Sequence, residues 1–124
     1  MDATAKRITI AATAKRVRVR LGGIVIADSR AALTLREGHY PPVQYLPRAD
    51  VDMTLLHRTA HGSHCPWKGA ASYFSITAGG RTAENAVWSY ETPLDGVAEI
   101  AGMLAFYPDR VDAIEELPAS DVPS

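Results

Sequence analysis

Two Gly-Gly pairs stand between segments that alternate like β-strands, and they constrain the fold more than any other feature of the chain. Lys15 to Arg20 alternates basic residues with Val17 and Val19, which in a strand would point inward while the arginines point outward. Gly22-Gly23 separates this segment from Ile24 to Ala27, and a two-glycine connection supplies the positive φ angles that tight hairpins require. The pattern predicts a β-hairpin at the start of the domain.

Further strand-like segments follow along the chain. Ala31 to Arg36 predicts a third strand that continues the hairpin as a meander. The other candidate strands are Val43 to Leu46, Val51 to Thr59, Ala70 to Thr77, Asn85 to Tyr90 and Met103 to Tyr107, with Gly79-Gly80 as a turn. Asp95 is expected to cap one short helix from Gly96 to Ala101. The predicted fold class is therefore mainly β, a single antiparallel domain with one short helix near the C-terminus.

The length and composition agree with one globular domain. The chain has 124 residues, of which 47% are hydrophobic and 22% charged, and single domains cluster at about 100 to 150 residues. The predicted boundaries are a flexible N-terminal segment (1–7), one β domain (8–114) and a flexible C-terminal tail (115–124). The tail is predicted because its Pro, Ser and acidic residues offer no buried face.

Charge, hydropathy and cysteine content exclude several classes of function. Thirteen basic and fourteen acidic residues give a formal net charge of −1, which argues against nucleic-acid or membrane binding through a basic field. No apolar run approaches the ~20 residues that span a bilayer. The single cysteine cannot form an intramolecular disulfide or a four-cysteine zinc site, so we expect a reduced, cytoplasmic protein without a cofactor.

The densest group of reactive side chains lies between His57 and Lys68. If this segment is extended, the period of two puts His61, Ser63 and Cys65 on one face. His61 would then act as a base toward a Cys65 thiolate, and Lys68 would stabilise negative charge on a substrate. The alternative is that Cys65 is a buried small hydrophobe. No metal site is predicted, because Gly62 and its neighbours disfavour the helix that a histidine pair four residues apart needs.

Aromatic and acidic residues suggest a binding pocket. Small residues next to large rings on two predicted strands favour an aromatic-lined cleft for a small organic molecule, with an ordinary aromatic core as the alternative. The ring residues assigned to the cleft are Tyr45, Trp67, Tyr73, Trp88 and Tyr90. Glu37 and Asp50 flank a proline-rich corner and are candidates for acid/base work. The alternative for Asp50 is turn capping.

Two motifs occur together in the sequence, Cys65-Pro66-Trp67-Lys68-Gly69 and the predicted strand Trp88-Ser89-Tyr90. They are accompanied by shorter stretches, which are Val17-Arg18-Val19, Ala27-Asp28-Ser29, Leu35-Arg36-Glu37, Tyr45 to Val51, Tyr73, Pro93 and Ala105-Phe106-Tyr107. This combination, from about Ile8 to Ile114, resembles the family called domain of unknown function 427. The resemblance implies a compact antiparallel β-tent fold, similar to methionine sulfoxide reductase B and the ligand-binding domain of cereblon. It implies no established reaction. The matching family positions are Glu37, Tyr45, Asp50, Cys65, Lys68, Tyr73, Trp88 and Tyr90.

Three functions follow from these observations. The leading hypothesis is a domain that binds an unknown small organic ligand in the aromatic-lined cleft, and that acts as an enzyme if Cys65 is reactive. A second is a structural module that forms a homodimer through an uncovered strand edge. A third is nucleotide handling, since the family also carries a nucleotidyltransferase-like label, although the chain lacks a Gly-Ser followed by an Asp-x-Asp pair.

Overall fold

The computed structural model describes residues 7–118, and within this range the chain forms ten β-strands. The strands are β1 (Ile8–Ala12), β2 (Arg16–Leu21), β3 (Ile24–Ser29), β4 (Leu33–Glu37), β5 (Val43–Tyr45), β6 (Leu56–Cys65), β7 (Gly69–Ala78), β8 (Arg81–Ser89), β9 (Ala105–Phe106) and β10 (Ala113–Leu117). They build three antiparallel sheets, ordered β1-β4-β5, β10-β2-β3 and β6-β7-β8-β9. The mainly β, antiparallel fold class is therefore confirmed.

The first hairpin forms as the alternation predicts. Val17 and Val19 are fully buried, and the arginines between them reach the other face, where Arg16 and Arg18 both pair with Asp28 of β3. The predicted meander is wrong, because β4 leaves this sheet and pairs with β1 and β5 instead. The sequence analysis did not predict β1, since Thr9, Ala11 and Ala12 give it a weak hydrophobic alternation.

The segment predicted as one strand from Val51 to Thr59 begins differently. Val51 makes only an isolated bridge to Ala27, and Met53–Leu55 forms a 3-10 helix before β6 starts at Leu56. The Asp52 side chain accepts a hydrogen bond from the Thr54 amide, which starts this helix. A local polar contact therefore replaces the first part of the strand.

The predicted short helix becomes 3-10 structure over Asp95–Ile100, interrupted at Val97 by non-helical backbone angles (φ −129°, ψ 31°). Asp95 lies within the first turn, while Leu94, which has no capping side chain, stands at the N-cap. Without a polar cap the segment does not start a regular α-helix. Val97 and Ile100 are nonetheless buried and anchor the segment to the core.

The last strand continues beyond the predicted end of the domain at Ile114. Residues of β10 as far as Leu117 pair with β2, and Arg20 Nε donates to Glu115 Oε1 at 3.0 Å. Three residues that were assigned to the tail thus belong to the sheet, where Glu115 faces the arginines of β2. Residues 1–6 and 119–124 of the predicted terminal segments lie outside the described residues.

The core has two parts, which lie on opposite faces of the sheet β6-β7-β8-β9. On one face Phe74 and Ile76 pack against the sheet β10-β2-β3. On the other face Tyr73 packs with Leu35 and Tyr45 of the sheet β1-β4-β5. Burial of each large apolar side chain contributes about 1.5–3 kcal/mol. Of the helices in residues 7–118, none has the length and hydropathy to cross a bilayer.

Candidate functional site

A cavity of about 190 Å³ lies where the sheet β1-β4-β5 meets the face of β7 and β8 that carries Tyr73. Tyr73 and Trp88 are directly opposite each other in the pairing of β7 with β8, so their rings project from the same face. The residues that line the cavity are Leu35, Glu37, Tyr40, Pro41, Val43, Tyr45, Lys68, Tyr73, Trp88, Tyr90 and Tyr107. Five tyrosines and a tryptophan therefore converge on one hollow.

Hydrogen bonds and ring contacts fix the positions of the aromatic side chains. Trp88 Nε1 donates to the Tyr45 hydroxyl at 3.2 Å, and the Trp88 and Tyr107 rings lie 4.4 Å apart. The Tyr73 hydroxyl shares hydrogen bonds with Ser63 Oγ at 2.8 Å and with the Tyr107 hydroxyl at 3.5 Å. The wall is thus held in place before any ligand arrives, which lowers the entropic cost of binding.

Burial favours the protonated form of three tyrosine hydroxyls in this cavity. It raises the pKa of Tyr45 to about 12 and raises the pKa of Tyr90 further. Burial, followed by the hydrogen bond with Tyr73, raises the pKa of Tyr107 to about 12. Near neutral pH these side chains are uncharged, and each hydroxyl can donate one hydrogen bond.

Lys68 and Glu37 form an ion pair in the cavity wall. Lys68 Nζ lies 2.5 Å from Glu37 Oε1, and the two side chains are only 10% and 11% exposed. Lys68 comes from the turn between β6 and β7, where its amide donates to the Cys65 carbonyl and its carbonyl accepts from the Leu94 amide. Gly69 completes this turn at φ +115°, a backbone angle that L side chains rarely adopt. The turn therefore aims the ammonium group at the end of β4.

Cys65 lies behind this ion pair rather than in the cavity wall. Its side chain is partly buried, and Lys68 Nζ donates to Cys65 Sγ at 3.7 Å. His61 is exposed and packs edge-on against the Tyr73 ring at 4.3 Å. None of the hydrogen bonds among residues 7–118 joins His61 to Cys65. Four residues of strand span about 13 Å, so a shared face does not bring this imidazole to the thiol.

Asp50 and Trp67 do not line the aromatic cavity. The 3-10 helix Arg48–Asp50 turns Asp50 toward β3, where its carboxylate accepts a hydrogen bond from Ser29 Oγ at 2.7 Å. Asp50 lines a different surface hollow, together with Arg16 and Asp28. Trp67 is 39% exposed in the turn between β6 and β7. The local backbone directs both side chains away from the cavity, although Asp50 and Trp67 are close in sequence to the cavity residues Tyr45 and Lys68.

Five wall residues were not among the predicted site residues, and two of them, Tyr40 and Tyr107, are aromatic. Tyr107 follows β9 and packs against Trp88 at a tilt, and Tyr40 lies in the proline-rich corner between β4 and β5. Tyr107 could have been found from the sequence, because the stretch Ala105-Phe106-Tyr107 is part of the resemblance to the family. No group of three or more His, Cys, Asp or Glu side chains is placed to hold a metal ion in the part of the chain that the structure describes.

Comparison with known proteins gives one positive result. A family model described as "domain of unknown function (DUF427)" matches residues 9–117, which include all ten strands except the first residue of β1. No curated protein matches the chain in sequence. The matched range contains every residue of the aromatic cavity.

Proposed function

The chain belongs to the family of domain of unknown function 427, as its resemblance implied, and we propose that its aromatic cavity binds a small organic molecule with one planar ring. The observation that carries this proposal is the ion pair of Lys68 with Glu37 in the cavity wall. Taking two charges out of water costs several kcal/mol per ion, and such a pair is often no more stabilising than apolar side chains. Binding of a ligand by both groups would explain why the protein has a buried ion pair in the cavity wall.

The volume of the cavity supports a single ring. A cavity of about 150 Å³ with apolar walls holds benzene in another protein, so about 190 Å³ accommodates one ring with small substituents. Trp88 and Tyr107 offer ring faces and edges for offset or edge-to-face contacts with such a ligand.

The polar groups of the wall support an uncharged ligand. The Lys68 ammonium donates hydrogen bonds and the Glu37 carboxylate accepts them, and their charges cancel. A charged ligand beside this pair would be attracted by one partner and repelled by the other. A hydroxyl on a neutral ring can donate to the carboxylate and accept from the ammonium. A phenol therefore fits the wall better than a phosphate or an ammonium compound.

The test is a titration of the protein with 4-methylphenol. In a Trp67→Phe variant, Trp88 is the only tryptophan, so its fluorescence reports on the cavity. We expect saturable quenching with a Kd of about 1 mM or below, and a matching rise in Tm by mass action. The native chain serves as the control and should show the same rise in Tm. Fluorescence and Tm that stay constant up to the solubility limit of the phenol would reject the proposal.

One observation favours a second function, a cysteine-dependent enzyme. The hydrogen bond from Lys68 Nζ to Cys65 Sγ places a cation next to the only thiol of the chain. A neighbouring cation favours the thiolate, which is the nucleophilic form. In this arrangement the group next to the thiol is Lys68, not the histidine of the sequence-based hypothesis.

Alkylation by iodoacetamide at pH 7 tests the enzyme hypothesis. If Cys65 is a reactive nucleophile, it should be alkylated about tenfold faster than glutathione. A Cys65→Ser variant shows that the label is on this residue, and His61→Ala should leave the rate unchanged. A rate equal to or below that of glutathione argues against catalysis by Cys65.

The other two functions have weaker support. The outer strand β6 has an uncovered edge within the described sheets, which a homodimer would use, but its pairing with β7 is irregular between Arg58 and Gly62. Such bulges disfavour pairing with a further strand. For nucleotide handling, the arginines of β2 would have to bind phosphate, and they are paired with Asp28 and Glu115.

A further inference from the structure

A second hollow, of about 250 Å³, opens beside the aromatic cavity and has a different chemical character. It lies between β5, β9, β10 and β2, and we call it the apolar groove. Its floor is formed by Val19, Leu46 and Phe106, and its rim by Pro108 and Ile114. None of the five tyrosines of the aromatic cavity lines this groove, and its walls are mostly apolar, with Gln44 and Glu116 as the polar members.

The apolar groove and the aromatic cavity share two wall residues. Trp88 and Val43 line both hollows, so the two are neighbours separated by the width of a side chain. Trp88 is held on the cavity side by its hydrogen bond to Tyr45 and by the Tyr107 ring. A substituent on a ring bound near Trp88 would have to pass this indole to enter the groove.

We propose that the apolar groove holds an aliphatic substituent of the same molecule whose ring occupies the aromatic cavity. This inference rests on the proposed function, and it narrows the ligand class to a neutral ring compound with a hydrocarbon chain. Together the two volumes reach the range of about 300–1,000 Å³ that is usual for small-molecule sites. Neither volume alone does so.

The chemistry of the groove favours a hydrocarbon occupant. Its floor residues are almost fully buried, and the groove presents apolar surface to water mainly through Pro42, Val43, Pro108 and Ile114. Covering that surface with a methylene chain removes it from water, which is favourable in proportion to the area. The acidic side chain of Glu116 borders the groove, which disfavours an occupant that ends in a carboxylate.

A homologous series of 4-alkylphenols tests the proposal. The Trp67→Phe variant is titrated with 4-methyl-, 4-ethyl-, 4-butyl- and 4-hexylphenol, and Trp88 fluorescence is followed. We expect Kd to fall about fourfold for each added methylene until the groove is full, in line with the free energy of burying a methylene group. The aromatic ring and its hydroxyl are the same throughout, so only the chain changes.

Variants of the groove separate this site from general partitioning of oily probes. Pro108 is exposed in the turn after β9, so Pro108→Glu puts a charge at the groove without disturbing the core. In this variant the Kd of 4-hexylphenol should rise at least tenfold, and that of 4-methylphenol much less. Ile114→Glu is a second variant with the same expected pattern. Ile24→Glu, at an exposed position outside both hollows, is the matched control and should leave the series unchanged.

Each outcome decides between the two proposals. If 4-methylphenol binds and Kd does not depend on chain length, the proposal for the groove is overturned. The proposal that the aromatic cavity binds the ring is then unaffected. A chain-length dependence that survives in Pro108→Glu and Ile114→Glu also overturns the proposal for the groove, since the chain then lies elsewhere. If 4-methylphenol fails to bind while longer phenols bind in a way that Pro108→Glu abolishes, the aromatic cavity is rejected as the ring site. The proposal that one molecule occupies both hollows is then overturned as well, and the groove is left as a separate apolar site.

Discussion

Replacing Lys68 by methionine is expected to lower the free energy of unfolding by about 3–5 kcal/mol, because it removes the cation from a buried carboxylate. The Lys68 and Glu37 side chains are nearly inaccessible to water, so solvent cannot take over the role of the ammonium group. The measurement is urea unfolding followed by circular dichroism. The slope of the transition should stay constant, which shows that the variant changes stability rather than the extent of unfolding.

The double variant Lys68→Met/Glu37→Leu separates structure from function. Since a buried ion pair is often replaced by apolar residues without loss, the double variant should recover most of the stability that Lys68→Met loses. It should still bind 4-methylphenol at least tenfold more weakly than the native chain, because the polar contacts in the wall are gone. This combination would show that the pair is kept for a ligand.

An exposed ion pair serves as the control. Arg20 and Glu115 are both 37% exposed, so Arg20→Met should change the free energy of unfolding by less than about 1 kcal/mol. If the double variant at Lys68 and Glu37 is as unstable as the sum of its single variants, the pair is a structural element. The argument from the buried charges to a ligand would then be withdrawn.

Local periodicity predicts which residues face the cavity, and this part of the site could be foreseen. Tyr73 and Trp88 lie on strands recognised from their sequence, and antiparallel pairing places them opposite each other. Side chains alternate strictly along a strand, so the assignment of a ring to one face needs no knowledge of distant segments. The same reasoning correctly turned Val17 and Val19 inward.

Contacts between distant segments could not be foreseen in the same way. Glu37 and Asp50 looked equivalent beside the proline-rich corner. One lies at the end of β4 and reaches Lys68, 31 residues away, whereas a 3-10 turn sends the other to Ser29. No spacing in the sequence distinguishes these outcomes, because they depend on which sheets pack together. The departure of β4 from the first hairpin has the same origin.

The second large effect is expected at the contact between two turns. The turn of Gly22, between β2 and β3, meets the turn of Gly79, between β7 and β8, backbone against backbone. A Cβ on Gly79 would overlap the carbonyl oxygen of Gly22, and both residues have positive φ angles, +58° and +61°. We expect Gly79→Ala to lower the free energy of unfolding by about 2–5 kcal/mol, through the left-handed backbone and the steric overlap together.

Gly80→Ala is the matched control, because it introduces the cost of the left-handed backbone without the steric overlap. Gly80 has φ +76°, but a Cβ at this position meets nothing within 4 Å. Its substitution should cost about 1–2 kcal/mol from the backbone angle alone. Urea unfolding of both variants gives the difference, which measures the contact between the turns. Equal losses would mean that the two turns separate easily, and then the sheets β10-β2-β3 and β6-β7-β8-β9 are joined by their side-chain core alone.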